Sequence, residues 1–188
     1  MQGWRIFSTE RLQVVHWGEQ IADAAARSAL ESAIVDLLSP AVLEYLPADL
    51  SLTGDEDAIE DWIAERDEAG QVYTVRLAGS SDLLGLLFLA LHTDGDDEDE
   101  DDEANPSQED DSGSAVLMIG YIIAEPEWGQ GYASELVEGV LGGLDELGHP
   151  TVRAGVANDN DASARVLIKN GFTLKDSLSS DHLDMFEL

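Results

Sequence analysis

The sequence predicts an α/β fold, of the α+β kind, in a single domain over residues 1–188. Three observations lead there. Strand-like alternation and helix-like periodicity interleave from one end of the chain to the other. At 188 residues the chain is long enough for one well-buried core and too short for two comfortable domains, and its 44% of hydrophobic residues is an ordinary globular balance. The longest uncharged apolar runs, "LLGLLFLAL" and "AVLMIGYIIA", are about half of the roughly 20 residues that a membrane-spanning helix needs.

The elements follow in order. "ERLQVVHW" alternates and is β-prone, so it reads as a first strand. From about Glu19 to Leu38, apolar positions such as Ile21, Ala25, Ile34 and Leu38 recur at helical steps, which predicts a helix. In "SPAVLEYLP", Ser39 is placed as an N-cap with Pro40 at the first helical position. "DEDAIEDWIAERDEAG" is a further helix, with acids in its first turn and Gly70 at its end. Three strands come next, "QVYTVRLA", "DLLGLLFLALH" and "AVLMIGYIIA", the first two joined by the hairpin signal "GSSD". After "WGQG", Ala133, Leu136, Val137, Val140, Leu141, Leu144 and Leu147 form one stripe of an amphipathic helix. "PTVRAGVAN" is a strand. "NDASARVLIKNGF" is a short helix, capped by Asn160 and closed by Gly171 in the left-handed conformation, and "HLDMFEL" is the last strand.

Charge narrows the partners. The chain carries 40 Asp and Glu against 9 Lys and Arg, and only Lys169 and Lys175 are lysines. Phosphate-backbone binding needs clustered cations, so nucleic acid is not expected as a partner, nor is an anionic membrane. Between Asp94 and Asp111, 12 of the 40 acids fall in one aperiodic run, which reads as a disordered loop insertion over 94–114, within a hairpin. This run is a solvated tether or a recruiter of a basic protein. The rest of the chain is acidic too, as expected of a protein adapted to a salty interior, where screening hides self-repulsion.

No cysteine is present, which excludes disulfides and thiolate catalysis. The four histidines lack metal-ligand spacing, so no metal is expected: His16 and His92 read as strand-end residues and His149 as a loop residue. The opening "MQGWRIFSTERLQ" lacks an apolar signal core, and a soluble, cytoplasmic protein is expected.

Chemistry enters at "WGQGYASELV", where Gly129 and Gly131 stand at a strand-to-helix junction. Backbone N–H groups in such a turn can wrap an anion, and the helix dipole favours negative charge there. Glycine is equally the usual tool for a tight connection, and the pair alone does not decide between these uses. A second stretch does. "IGYIIAEPEWGQGYASELV", followed about thirty residues later by "NDNDASARVLIKNGF", resembles the GNAT superfamily of acyl-CoA-dependent N-acetyltransferases. Within it, the likeness is to the ribosomal-protein N-terminal acetyltransferases of the RimJ and RimL type, whose first strand "STERL" also resembles. Trp128 stands where the family's phosphate motif commonly has Arg or Gln.

The resemblance implies a mixed, splayed sheet of about six to seven strands flanked by helices, with acetyl-CoA in its opening. Backbone groups of Tyr121, Ile122 and Ile123 would pair with the pantetheine arm, with side-chain identity there nearly free. The loop of Trp128, Gly129, Gln130, Gly131, Tyr132 and Ala133 would hold the pyrophosphate. Asn160 would contact the cofactor and Ser163 would stabilise the departing thiolate, beside the plainer reading of a helix cap and a first-turn polar residue. Arg165 and Lys169, one helical turn apart, suit the cofactor's ribose phosphate or salt bridges to nearby acids.

The implied reaction moves acetyl directly to a primary amine, on a protein N-terminus or a cationic small molecule such as a polyamine. An α-amine costs about 1 kcal/mol to deprotonate at neutral pH and a lysine about 4–5 kcal/mol, so the former needs less help. His182 is the candidate general base, since imidazole titrates in the useful range; Asp181 and Glu44 are weaker candidates. A non-catalytic acyl-CoA-binding module would share the phosphate loop, and the chain is expected as a monomer or homodimer.

Overall fold

The computed structural model describes residues 6–47, 50–52, 58–93 and 115–188, and the expected acidic insertion lies outside them. The N-terminal half contributes strands β1 (Ile6–Ser8) and β2 (Leu12–His16), then helices α1 (Gly18–Ala22), α2 (Ala24–Leu37), α3 (Pro40–Leu43) and α4 (Ala58–Ala69). Strands β3 (Gln71–Leu77), β4 (Gly85–Thr93) and β5 (Ala115–Ile123) follow. The C-terminal part is α5 (Tyr132–Leu141), β6 (Thr151–Ala157), α6 (Asp161–Lys169), β7 (Thr173–Leu174) and β8 (Leu183–Glu187).

The strands make one 8-stranded sheet in the order β1-β2-β3-β4-β5-β6-β8-β7. Sequence reasoning gives six to seven, and the difference lies in β1 and β7, which at 3 and 2 residues are too short to show alternation. The helix expected from Glu19 to Leu38 is two helices. Asp23 breaks it with an extended backbone (φ −94°, ψ 120°), and its carboxylate accepts the Ala26 N–H at 2.9 Å to cap α2. The stripe drawn through Leu147 also stops early, because α5 ends at Leu141 and Leu144–Leu147 form a short 3-10 turn. Ser39 caps α3 as expected, and Gly171 is left-handed at φ 93°.

All neighbouring strands are antiparallel except β5 and β6, which run parallel. Their pairing covers only Val116 with Thr151, Leu117 with Val152 and Met118 with Arg153. Beyond Met118, β5 stays paired to β4 as far as Ile123, while β6 stays paired to β8 as far as Ala157. The two strands therefore diverge, and the sheet is splayed at its centre.

Two cores cover the two faces of the sheet. On one face Trp17, Leu30, Ile34, Leu37, Trp62 and Ile63 pack against Val72, Leu86 and Ile122. On the other, Leu136, Val137 and Val140 of α5 and Leu167 of α6 meet Leu117, Ile119, Val152 and Phe186. Each fully buried side chain of this size is worth about 1.5–3 kcal/mol, so α5 is held mainly by its apolar stripe. Its outer side is fixed by close approach at Gly139, where a Cβ would fall 2.8 Å from both Phe7 and Thr9. The β1–β2 turn can lie on α5 only because that side chain is missing.

Candidate functional site

The divergence of β5 from β6 leaves the inner edges of Ile119–Ile123 and Ala154–Ala157 without each other as partners. Backbone N–H and C=O groups demand hydrogen bonds, so this gap suits an extended ligand with amide groups of its own. Ile122 (3% exposed) and Ile123 (8%) turn their side chains into opposite cores. Only their backbones are left for such a ligand.

At the far end of β5 the chain passes through a 3-10 turn, Glu125–Glu127, into the loop. Trp128 is 43% exposed, yet its indole N–H donates to the Ile123 carbonyl at 2.7 Å, and its ring meets Tyr45 edge-on at 6.3 Å. It therefore ties the loop to the strand end and, through Tyr45, to the segment after α3, while Ser39 at the start of α3 donates to Glu125 at 2.8 Å. Gly129 and Gly131 have φ of 74° and 84°, conformations that other residues adopt only under strain.

Gly131 caps α5 without any side-chain hydrogen bond, and the first intrahelical bond is Glu135 N–H to the Gly131 carbonyl at 3.1 Å. The N–H groups ahead of Glu135 are the ones a helix start leaves open, and they meet the positive end of the dipole. An anion fits there. Helix α6 differs, because Asn160 already spends its carboxamide oxygen on the Ser163 N–H at 3.0 Å.

Across the gap, the Tyr121 hydroxyl lies 2.8 Å from Ser163 Oγ. Sequence reasoning valued Tyr121 for its backbone alone, yet its side-chain hydroxyl joins β5 to α6, meeting both Ser163 Oγ and, at 3.5 Å, the Ser163 carbonyl. Burial pushes the Tyr121 phenol up to about 12, with the Ser163 hydrogen bond pulling the other way. The phenol is thus neutral at physiological pH and available as a donor. A free thiol titrates near 8.5, so full proton transfer from this tyrosine to a thiolate would be uphill by about 5 kcal/mol. The pair can stabilise a leaving thiolate by hydrogen bonding, and not by surrendering a proton.

The other expected site residues are placed less tightly. Arg165 and Lys169 are exposed on α6, and only Lys169 reaches an open groove of about 840 Å³ that also involves Gln130, Gly131 and Ser134. His182 is exposed at the rim, with its carbonyl accepting from Asn158 N–H at 3.4 Å and its own N–H donating to Ser180. Among the described residues, no hydrogen bond links its imidazole to Tyr121 or Ser163.

The sequence reading missed Arg11. From the β1–β2 turn its guanidinium reaches Glu135 at 2.6 Å and the Gln130 carbonyl at 3.1 Å, and it lies 4.5 Å over the Tyr132 ring. Burial raises the Glu135 carboxyl, but hydrogen bonds from Thr9 and Arg11 outweigh it and hold the group below the usual range. The available signal was a cation inside "STERL" in a chain with few others. Among the described residues no cluster of His, Asp and Glu could hold a metal ion, and no helix is long and apolar enough to cross a membrane.

Known proteins share this fold. The chain is 44% identical over 55 residues to the Uncharacterized N-acetyltransferase YoaA of Bacillus subtilis (strain 168), a match covering 29% of this chain and 31% of that protein. The match thus spans about a third of the length of that curated relative. An acetyltransferase (GNAT family) structure from Bacillus anthracis superposes with a TM-score of 0.65 at 18% identity, over 97% of this chain and 95% of that one. RimL, a ribosomal L7/L12 alpha-N-protein acetyltransferase in complex with coenzyme A, does so with a TM-score of 0.63 at 15% identity, over 97% of each chain. At such identities the superpositions establish the fold. The family model described as Acetyltransferase (GNAT) domain matches residues 31–173, which include the splayed strands, the glycine loop and α6, and the chain belongs to that family.

Proposed function

We propose that the protein is an acetyl-CoA-dependent N-acetyltransferase that moves acetyl directly onto a primary amine. The observation that carries this reading is the hydroxyl pair of Tyr121 and Ser163, held 2.8 Å apart across the gap between β5 and α6. A module that only binds acyl-CoA has no need of paired donors at that place.

The residues present fit the cofactor. The inner edge of β5 at Tyr121, Ile122 and Ile123 suits the amides of pantetheine, and the open N–H groups at the start of α5 suit its pyrophosphate. Bound acetyl-CoA would supply a thioester carbonyl for the amine nitrogen to attack, and a thiol as leaving group. One hydroxyl proton of Tyr121 and Ser163 is held in their mutual bond and the other is left to donate to the sulfur, a form of electrostatic stabilisation that works best in a site closed to water. With no cysteine in the chain, no thiol can hold the acyl group between steps, which supports direct transfer. Asn160 acts through the cap that fixes the Ser163 backbone, and Lys169 supplies positive charge near the loop.

The acceptor we favour is a protein N-terminal α-amine, as in the RimJ and RimL branch. The superposition with RimL over nearly the whole of both chains supports it, as does the small cost of deprotonating an α-amine, which asks little of a base. His182 is the base we propose, from its place at the rim. The test is release of coenzyme A thiol from acetyl-CoA against free-N-terminus peptides, a lysine-rich peptide with a blocked N-terminus, and spermidine. Turnover confined to free N-termini is the expected result. Turnover on spermidine alone would replace this acceptor by a small cationic amine, and silence with every acceptor while acetyl-CoA binds would leave a binding module.

A further inference from the structure

We infer that Arg11 is a positioning residue: it locks the peptide between Gln130 and Gly131 in the orientation that presents an N–H, rather than a carbonyl, to the cofactor's pyrophosphate. The inference rests on the acetyl-CoA reading above and deepens it.

The argument starts from the two glycines. Gly129 and Gly131 flank Gln130 with φ of 74° and 84°, and glycine adopts either sign of φ at little cost. The loop's own sequence therefore does little to fix which way the 130–131 peptide faces. No cis bond occurs among the described residues, so that peptide is trans, and its C=O and N–H point in opposite directions. Arg11 draws the Gln130 carbonyl toward itself at 3.1 Å, which turns the Gly131 N–H to the other side. A flip of this one peptide would exchange a donor for an acceptor and set a partial negative charge against the phosphates.

The clamp is itself held from several directions. Arg11 Nε meets Glu135 Oε2 at 2.6 Å, and the Arg11 backbone N–H donates to Glu135 Oε1 at 2.8 Å. Thr9 donates its hydroxyl to the same carboxylate and accepts the Leu12 N–H at 3.0 Å. The guanidinium covers the Tyr132 ring at 4.5 Å, and its second terminal nitrogen would lie 3.6 Å from a Cβ at Gly131. One side chain thus contacts Gln130, Tyr132 and Glu135 together, and borders Gly131. Half-exposed ion pairs contribute little stability as such. The value of this one lies in direction, which a planar fork fixes and a lysine ammonium does not.

The test compares equilibrium binding of coenzyme A and of pantetheine, which lacks the pyrophosphate, to the wild-type chain and to its Arg11→Lys and Arg11→Gln variants. Both variants are expected to lose roughly tenfold or more in coenzyme A affinity, about what one charge-assisted hydrogen bond is worth, with pantetheine affinity unchanged. Wild-type affinity in Arg11→Lys would show that charge alone suffices and would overturn the proposal. Equal weakening of both ligands would also overturn it, as a general loss of structure. Should Arg11→Gln not fold, Arg11→Lys carries the comparison, joined by the amide proton shift of Gly131, which an unchanged peptide orientation would leave in place. Failure of the wild-type chain to bind coenzyme A at all would instead sink the acetyl-CoA reading.

Discussion

The gap between β5 and β6 has two rims, and they are built in different ways. On the β5 side the chain is tied down at each step: Trp128 to the Ile123 carbonyl, Ser39 to Glu125, and Arg11 to both Gln130 and Glu135. On the α6 and β8 side Arg165, Lys169 and His182 are exposed, while Ser163 meets Tyr121 across the gap and Asn170 donates to Ser134 of α5. A rim that must present backbone N–H groups cannot rely on side-chain rotamers and has to be fixed by its surroundings. Charged side chains reaching for a soluble phosphate or amine can adjust on arrival. The comparison thus separates geometry set in advance from charge supplied on demand.

The largest expected effect comes from removing the contact that bridges the rims. Tyr121→Phe combined with Ser163→Ala should lower kcat roughly a hundredfold, on the scale of losing a preorganised donor, while KM for acetyl-CoA moves little. A fall in affinity without a fall in kcat would make the pair a binding feature only.

Tyr121 also makes an alkaline prediction. Its phenol is raised from 10.0 to about 12 in the folded chain, so folded and unfolded states are both neutral below pH 10. Above that the unfolded phenol ionises first, and stability falls as pH rises from 10 to 12. Tyr121→Phe should remove about 2 kcal/mol of that decline, read from urea unfolding at successive pH values.

On the fixed rim, Gly131→Val places a β-branched residue at φ 84°. Left-handed backbone costs such a residue about 1–2 kcal/mol or more, so coenzyme A affinity should fall roughly tenfold. Calorimetry that finds no change would mean the loop is not the phosphate site.

Smallest of all, Lys169→Ala and Arg165→Ala on the adaptable rim should change KM for acetyl-CoA by only about threefold, and less in high salt. The same screening predicts that KM for acetyl-CoA in the wild-type chain falls between low and molar salt, because a net charge of −31 repels an anionic cofactor. A KM that rises or stays flat would remove the electrostatic account.

What could be read in the sequence was local. Asn160 and Ser39 as caps and Gly171 as a helix end follow from rules spanning three or four residues, and each is found in place. The glycine loop was legible because strand, turn and helix are contiguous. The tight contacts of the site were not, since Tyr121 and Ser163 are 42 residues apart and Arg11 and Glu135 are 124 apart. Only the fold decides that they meet. Asp23 shows the opposite limit, where a local cap overrode an apparently continuous periodicity.

Among the described residues three pairs join β5 to β6, so the sheet consists of two leaves sharing a narrow seam. One leaf carries β1 to β5, and the other carries β6, β8 and β7. A ligand lying along the gap would act as a strap across this seam. Coenzyme A should slow amide hydrogen exchange most at Ile119–Ile123 and least at β2 and β3, stiffening the molecule along one line rather than throughout.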